Sequence, residues 1–157
     1  MVKNTKSCNN KSIHIVLNNG GHEWRIKNKL HPFDGTAVIT PDGTMKWYVD
    51  GELHRVDGPA ILKPDGSAFW YHKGRPHRAG APAVEYADGG QEWWYYGKIH
   101  RSGGPAAEYV DGSQEWWFRG KLHRKNGPAV IEADGTQEWW IDGKEISENS
   151  KQLGKAA

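Results

Sequence analysis

Histidine recurs at positions 31, 54, 77, 100 and 123, each 23 residues after the last. Arginine follows it directly at Arg55, Arg78, Arg101 and Arg124, with Pro32 breaking the series at the first unit. Imidazole can ligate a metal or move a proton, and the guanidinium fork suits phosphate and carboxylate. The spacing decides against the first chemistry. If each period is a pair of β-strands, equivalent residues lie about 10 Å apart, whereas Zn–N bonds are about 2.0–2.1 Å. His54, His77, His100 and His123 therefore cannot share one ion. They are expected to satisfy a turn or a neighbouring hairpin, as buried polar groups must, and no metal or cofactor is expected. The arginines leave two readings open. They pair internally with Glu92, Glu115 and Glu138, which recur at one register, or they form an anion-binding row.

Catalysis needs unlike groups that converge on one point, and a ladder spreads like groups along a line. The chain carries no G-x-S-x-G elbow, no H-E-x-x-H, no P-loop and no G-x-G-x-x-G. Phe69, His72, Lys73 and Arg75 break the pattern in one unit, but they contain no nucleophile–base pair. A non-enzymatic protein is the expectation.

The elements that carry these ladders follow from the same period. Trp24, Trp47, Trp70, Trp93, Trp116 and Trp139 are each 23 residues apart, and Ala37, Ala60, Ala83, Ala106 and Ala129 keep one register. Asp-Gly begins at 42, 65, 88, 111 and 134, with Asn19-Gly20 as a first, degenerate copy. In the unit that starts at Gly104, the runs Ala106–Val110 and Gln114–Phe118 flank Asp111-Gly112. Asp-Gly between such runs signals a hairpin whose tight turn needs positive φ. Gly120-Lys121 then turns the chain toward the next unit. Prolines 59, 82, 105 and 128 open the first strands, where a missing N–H does least harm.

The expected fold is all-β, an elongated single antiparallel sheet built as a solenoid-like meander of about five to six hairpins. At ~10 Å per unit it would be a rod of ~50–60 Å. Residues 1–12 read as a flexible basic tail, 13–143 as the array and 144–157 as a cap or tail. Arg25 and Asn28 replace the usual aromatic and glycine in the first unit. Ser147–Ala157 is the one stretch that offers a helix.

Gly-Lys-Leu-His, then Gly, Asp-Gly, paired aromatics and Gly at this spacing resemble the MORN repeat over about residues 19–143. The chain writes His-Arg-x-x-Gly-Pro-Ala where MORN units usually write His-Gly-x-Gly, so the likeness is to a divergent variant. The resemblance implies an elongated, sometimes dimeric scaffold that binds proteins or lipid headgroups. Some bacterial MORN-like proteins act as antitoxins, so an inhibitor-like role in a bacterial or phage setting is part of what it implies.

Composition narrows the partner. The chain of 157 residues is 36% hydrophobic, yet it holds 9 Trp and 6 Tyr, which fits a thin fold with an aromatic stripe rather than a large core. The invariant Trp stripe reads as core. Adjacent strand residues face opposite sides, so Tyr48, Tyr71, Trp94, Trp117 and Trp140 form a second stripe on the other face. Left uncovered, such a stripe marks an interaction surface. Covered, it packs against twisted neighbours or a second copy in a homodimer. The net charge of +2 argues against a nucleic-acid partner, which asks for a basic footprint. Lys3, Lys6 and Lys11 carry the local excess. Cys8 is the only cysteine, so no intrachain disulfide framework exists. With no apolar run of transmembrane length, the chain reads as cytoplasmic. The leading expectation is a protein-binding scaffold. The alternative is a binder of a nucleotide or phospholipid headgroup through the His-Arg row.

Overall fold

A computed structural model of the chain describes residues 3–4, 12–30 and 37–146. Most of the basic stretch with Cys8, the first ladder pair His31 and Pro32, and the helix candidate after 146 lie outside the described residues.

Within them every element is a β-strand. One antiparallel sheet of 14 strands runs through the array as a meander. In the unit around Asp111, Ala107–Glu108 pairs with Gln114–Glu115, and the latter pairs onward with Val130–Ile131 of the next unit. The tandem-hairpin architecture is thus the one the period implies.

The sequence differs from the structure over where the second strand ends. Five two-stranded ribbons stand beside the main sheet, and each is cut from a run expected to be continuous. Gln114–Phe118 divides into Gln114–Glu115 in the sheet and Trp117–Phe118, which pairs with Lys121–Leu122. Trp116 is the pivot. Its N–H donates to the Ala129 carbonyl at 2.7 Å, inside the sheet, while its own carbonyl accepts from the His123 N–H at 2.9 Å. One residue serves two ladders with its two backbone groups, so neither ladder can run straight through it.

The two turns of each unit also differ in kind. At Asp111-Gly112 only the glycine has positive φ (92°). The aspartate instead accepts from the Ser113 N–H at 2.9 Å, the local bond that makes Asp a turn residue. The second reversal lies one residue earlier than Gly120-Lys121. Arg119 (φ 53°) and Gly120 (φ 82°) form a two-residue tip with both residues left-handed, the primed turn that matches strand twist.

Burial places the centre of the core on the alanines. Ala37, Ala60, Ala83, Ala106 and Ala129 are all 0% exposed. Of the invariant tryptophans Trp47 is buried, whereas Trp24, Trp70, Trp93, Trp116 and Trp139 are half-buried. The Trp stripe is therefore a lid on an alanine core rather than the core itself. The small Ala side chain permits this, because it lets the covering layer approach the backbone closely. Units are also tied by side chain to backbone, as when Ala87 and Ala133 donate their N–H to Ser67 Oγ and Ser113 Oγ at 3.1 and 3.0 Å.

Candidate binding surfaces

The His-Arg-x-x-Gly-Pro-Ala motif folds into a clamp. The guanidinium carbons of Arg55, Arg78, Arg101 and Arg124 lie 4.0, 3.8, 3.7 and 3.7 Å from the ring centroids of Trp47, Trp70, Trp93 and Trp116. Each Nη1 donates to the proline carbonyl four residues on, for instance Arg101 to Pro105 at 3.0 Å. On the far side sits the motif glycine: a Cβ at Gly104 would stand 3.2 Å from the Arg101 guanidinium. Stacking and a charge-assisted bond reinforce each other here. The acids expected to pair with this row do not. Arg78 and Arg101 bind Glu85 and Glu108 at 2.6 and 2.8 Å, while the Trp94, Trp117 and Trp140 Nε1–H groups donate to Glu92, Glu115 and Glu138 at 2.6, 2.6 and 2.8 Å. Those glutamates are taken by the indoles two residues on, across the break in the strand, and not by the arginines.

The histidines reach forward to the next unit. His54, His100 and His123 present Nδ1 to the N–H of Lys73, Arg119 and Asp142 at 3.2, 3.4 and 3.1 Å. Each donor is the first, left-handed residue of a ribbon tip, so these three histidines each fasten a strained turn to the preceding unit. His77 departs from this: its Nδ1 has no partner among the described residues, and its ring stacks on Tyr96 at 4.0 Å. Among the described residues no three His, Cys, Asp or Glu side chains are grouped to hold a metal.

An acceptor role requires neutral imidazole at Nδ1, the form that the surroundings of His54 favour. Burial, then the neighbouring His72, lowers the His77 pKa, and the same two causes in the same order lower that of His54, against a small opposing pull from Glu52. The folded state thus binds these protons less readily than the unfolded chain. Their stabilising contribution is complete above the ordinary value near 6.5 and is lost as pH falls through the depressed folded values. The thermal midpoint should therefore drop between pH 7.5 and pH 5. His54→Gln should flatten that dependence; a midpoint constant over the range in the wild type would contradict it. The turn aspartates do not confuse the measurement, because Asp42, held to about 2 by its bonds from Thr40 and Thr44, titrates far below this window.

Each ribbon has two faces set by its pairing. One carries Tyr48 opposite Leu53, Tyr71 opposite Pro76, Trp94 opposite Ile99 and Trp117 opposite Leu122, with Trp140 in the last ribbon. All five aromatic members are half-buried, and an open groove lies between Trp117 and Trp140. The other face carries His72 opposite Arg75, Tyr95 opposite Lys98 and Phe118 opposite Lys121. Its rings are the more exposed, Tyr95 at 57% and Phe118 at 40%. Sequence reasoning missed this face because it treated Trp93 to Tyr95 as one strand with alternating sides. The break at Trp93 gives the third aromatic its own surface. The signal was present: the turn glycine at 97 sits too close for Tyr95 to belong to the sheet.

Charge is uneven between the two edges, most of all along the three middle ribbons. The Asp-Gly turns line one edge of the sheet with Asp42, Asp65, Asp88, Asp111 and Asp134. Tyr86 and Tyr109 stand beside them, each pushed up to about 12 by burial and by Glu92 or Glu115 respectively. The ribbons line the opposite edge, and those at 71–76, 94–99 and 117–122 hold Lys73, Arg75, Lys98, Arg119 and Lys121 with no acid.

Fold and surfaces together define a tandem β-hairpin repeat protein with a two-faced ribbon edge. No family model matches the chain, and no curated protein is similar to it at a significant level. No helix among the described residues is long and apolar enough to cross a membrane.

Proposed function

We propose that the chain is a non-enzymatic, cytoplasmic scaffold that docks another protein along the Trp face of its ribbons, in the manner its resemblance to MORN repeats implies. The observation that carries this reading is the unbroken strip of Tyr48, Tyr71, Trp94, Trp117 and Trp140, half-buried and backed by Leu53, Pro76, Ile99 and Leu122. Tryptophan and tyrosine anchors dominate protein interfaces. Three of these indoles are held by glutamate bonds, so little side-chain freedom is lost on binding. The anionic-ligand alternative would use Arg55, Arg78, Arg101 and Arg124 with His54, His77, His100 and His123. Those guanidinium forks are already stacked and bonded within the fold.

The test replaces Trp94 and Trp117 together by alanine. Capture of the partner by the immobilised protein should fall by roughly a hundred- to a thousandfold, on the scale of losing two anchors of about 2 kcal/mol each, while the circular dichroism of the sheet persists. Loss of the fold would assign the strip to the core instead. Unchanged capture would remove it from the interface. Light scattering on the wild-type chain separates a foreign partner from a second copy, because a homodimer would show twice the monomer mass.

A further inference from the structure

We propose that the opposite, ring-and-cation face of the ribbons binds single-stranded nucleic acid. The overall charge of +2 conceals the relevant feature, which is segregation. Three consecutive ribbons carry five cations and no acid, and no ion pair among the described residues engages Lys73, Arg75, Lys98, Arg119 or Lys121. The turn aspartates Asp42, Asp65, Asp88, Asp111 and Asp134 lie at the far edge of the sheet.

The cations are also aligned. The stem of Arg75 lies over Gly97 of the next tip, with its Cβ 3.6 Å from where a glycine side chain would begin; Lys98 does the same over Gly120 at 3.8 Å and Lys121 over Gly143 at 3.6 Å. Backbone bonds hold the register, Gly97 to Pro76, Gly120 to Ile99 and Gly143 to Leu122, each at 2.9 Å. Arg75, Lys98, Lys121 and Lys144 therefore recur once per unit, about 10 Å apart, as a row along the array. Beside each of the first three, directly across the ribbon, stands a ring: His72, Tyr95 and Phe118. Further rings connect them, for Tyr95 meets His77 and His100 at 5.2 and 6.2 Å, and His100 meets Phe118 at 4.9 Å. Glu52 occupies the row's position in the preceding ribbon, which places the start of the site at Arg75.

A ring beside a cation once per ribbon, with Tyr95 and Phe118 exposed, is what an unpaired strand requires: a surface on which a base stacks and a charge for its phosphate. An acidic protein segment would satisfy the cations but leave the rings without a purpose. Duplex would offer phosphates but no open base faces.

The experiment is fluorescence anisotropy of the full chain with labelled oligothymidylate and oligouridylate of about 20 nucleotides, each against duplex of equal length and polyglutamate as competitors. Binding of either single strand is expected, and DNA against RNA tells which sugar is preferred. Tyr95→Ala with Phe118→Ala should weaken it by roughly a hundredfold or more, since each stacked base contributes on the order of tenfold. Lys98→Gln with Lys121→Gln should lower the salt slope by roughly 1.4, about 0.7 for each phosphate left without its cation. All four positions are on the exposed ribbon rim, and circular dichroism checks the fold; Lys98→Arg and Lys121→Arg, which keep charge and stem, should restore binding. No binding at 50 mM salt, equal competition by polyglutamate or duplex, or indifference to loss of the two rings would each overturn the proposal. The Trp94 and Trp117 substitutions that test protein docking lie on the other ribbon face and should leave strand binding intact.

Discussion

Arg101→Ala should lower the thermal midpoint by roughly 5–10 °C, the largest change expected from any single surface-reaching side chain. The guanidinium stacks on Trp93 at 3.7 Å, donates to Pro105 at 3.0 Å and meets Glu108 at 2.8 Å. A partly desolvated cation–π contact contributes about 1–2 kcal/mol, and the charged bond to a carbonyl contributes on the order of 1.5 kcal/mol more. The ion pair is partly exposed on both sides and adds little. The total loss is about 2.5–3.5 kcal/mol, and for a chain of this size each kcal/mol moves the midpoint by roughly 2–4 °C. Arg101→Lys should recover less than half, because the ammonium neither stacks as a plane nor keeps the fork. The checks are thermal melts followed by tryptophan fluorescence, which also report whether Trp93 has gained solvent. If Lys restores full stability, charge alone matters and the clamp is not the reason for the motif.

Ala106→Leu should destabilise by about 3 kcal/mol, at the upper end of what overpacking costs. The side chain is 0% exposed. The backbone cannot yield around it either, since its N–H donates to the Glu115 carbonyl at 2.7 Å while its carbonyl accepts from Trp93 at 2.8 Å. A larger residue must therefore displace the covering layer. Val110→Leu is the control: it adds bulk at a residue 68% exposed and should stay within about 0.5 kcal/mol. Urea unfolding of both variants beside the wild type decides it. Equal midpoints would show that the alanine row is dispensable packing.

These two expectations rest on features of different visibility. Ala106 announced itself in the sequence by holding register through five units, and its neighbourhood in the sheet follows from strand period alone. The Arg101 clamp did not. Its partners are Trp93, eight residues before, and the Pro105 carbonyl, four residues after. Only the change of ladder at Trp93 brings the two to one guanidinium. Without that change, Glu115 looks like the natural acid, because strand alternation is read as if the strand never ended. The actual partner Glu108 sits seven residues on from Arg101, across a connection whose path no propensity specifies.

By itself the sequence determined the period, the all-β meander and the glycine-bearing turns, because a 23-residue repeat without gaps leaves each hairpin only its neighbours to pack against. Tertiary structure alone decided the rest. It split the second strand at Trp47, Trp70, Trp93, Trp116 and Trp139 while leaving His22–Ile26 continuous, made alanine the buried centre, gave three ribbons one apolar face and one cationic face, and set the turn aspartates at the edge opposite them. The physical reason is that a tryptophan whose N–H and carbonyl serve two ladders cannot be recognised from its side chain. Which side of a ribbon any later residue occupies depends on that single change of plane.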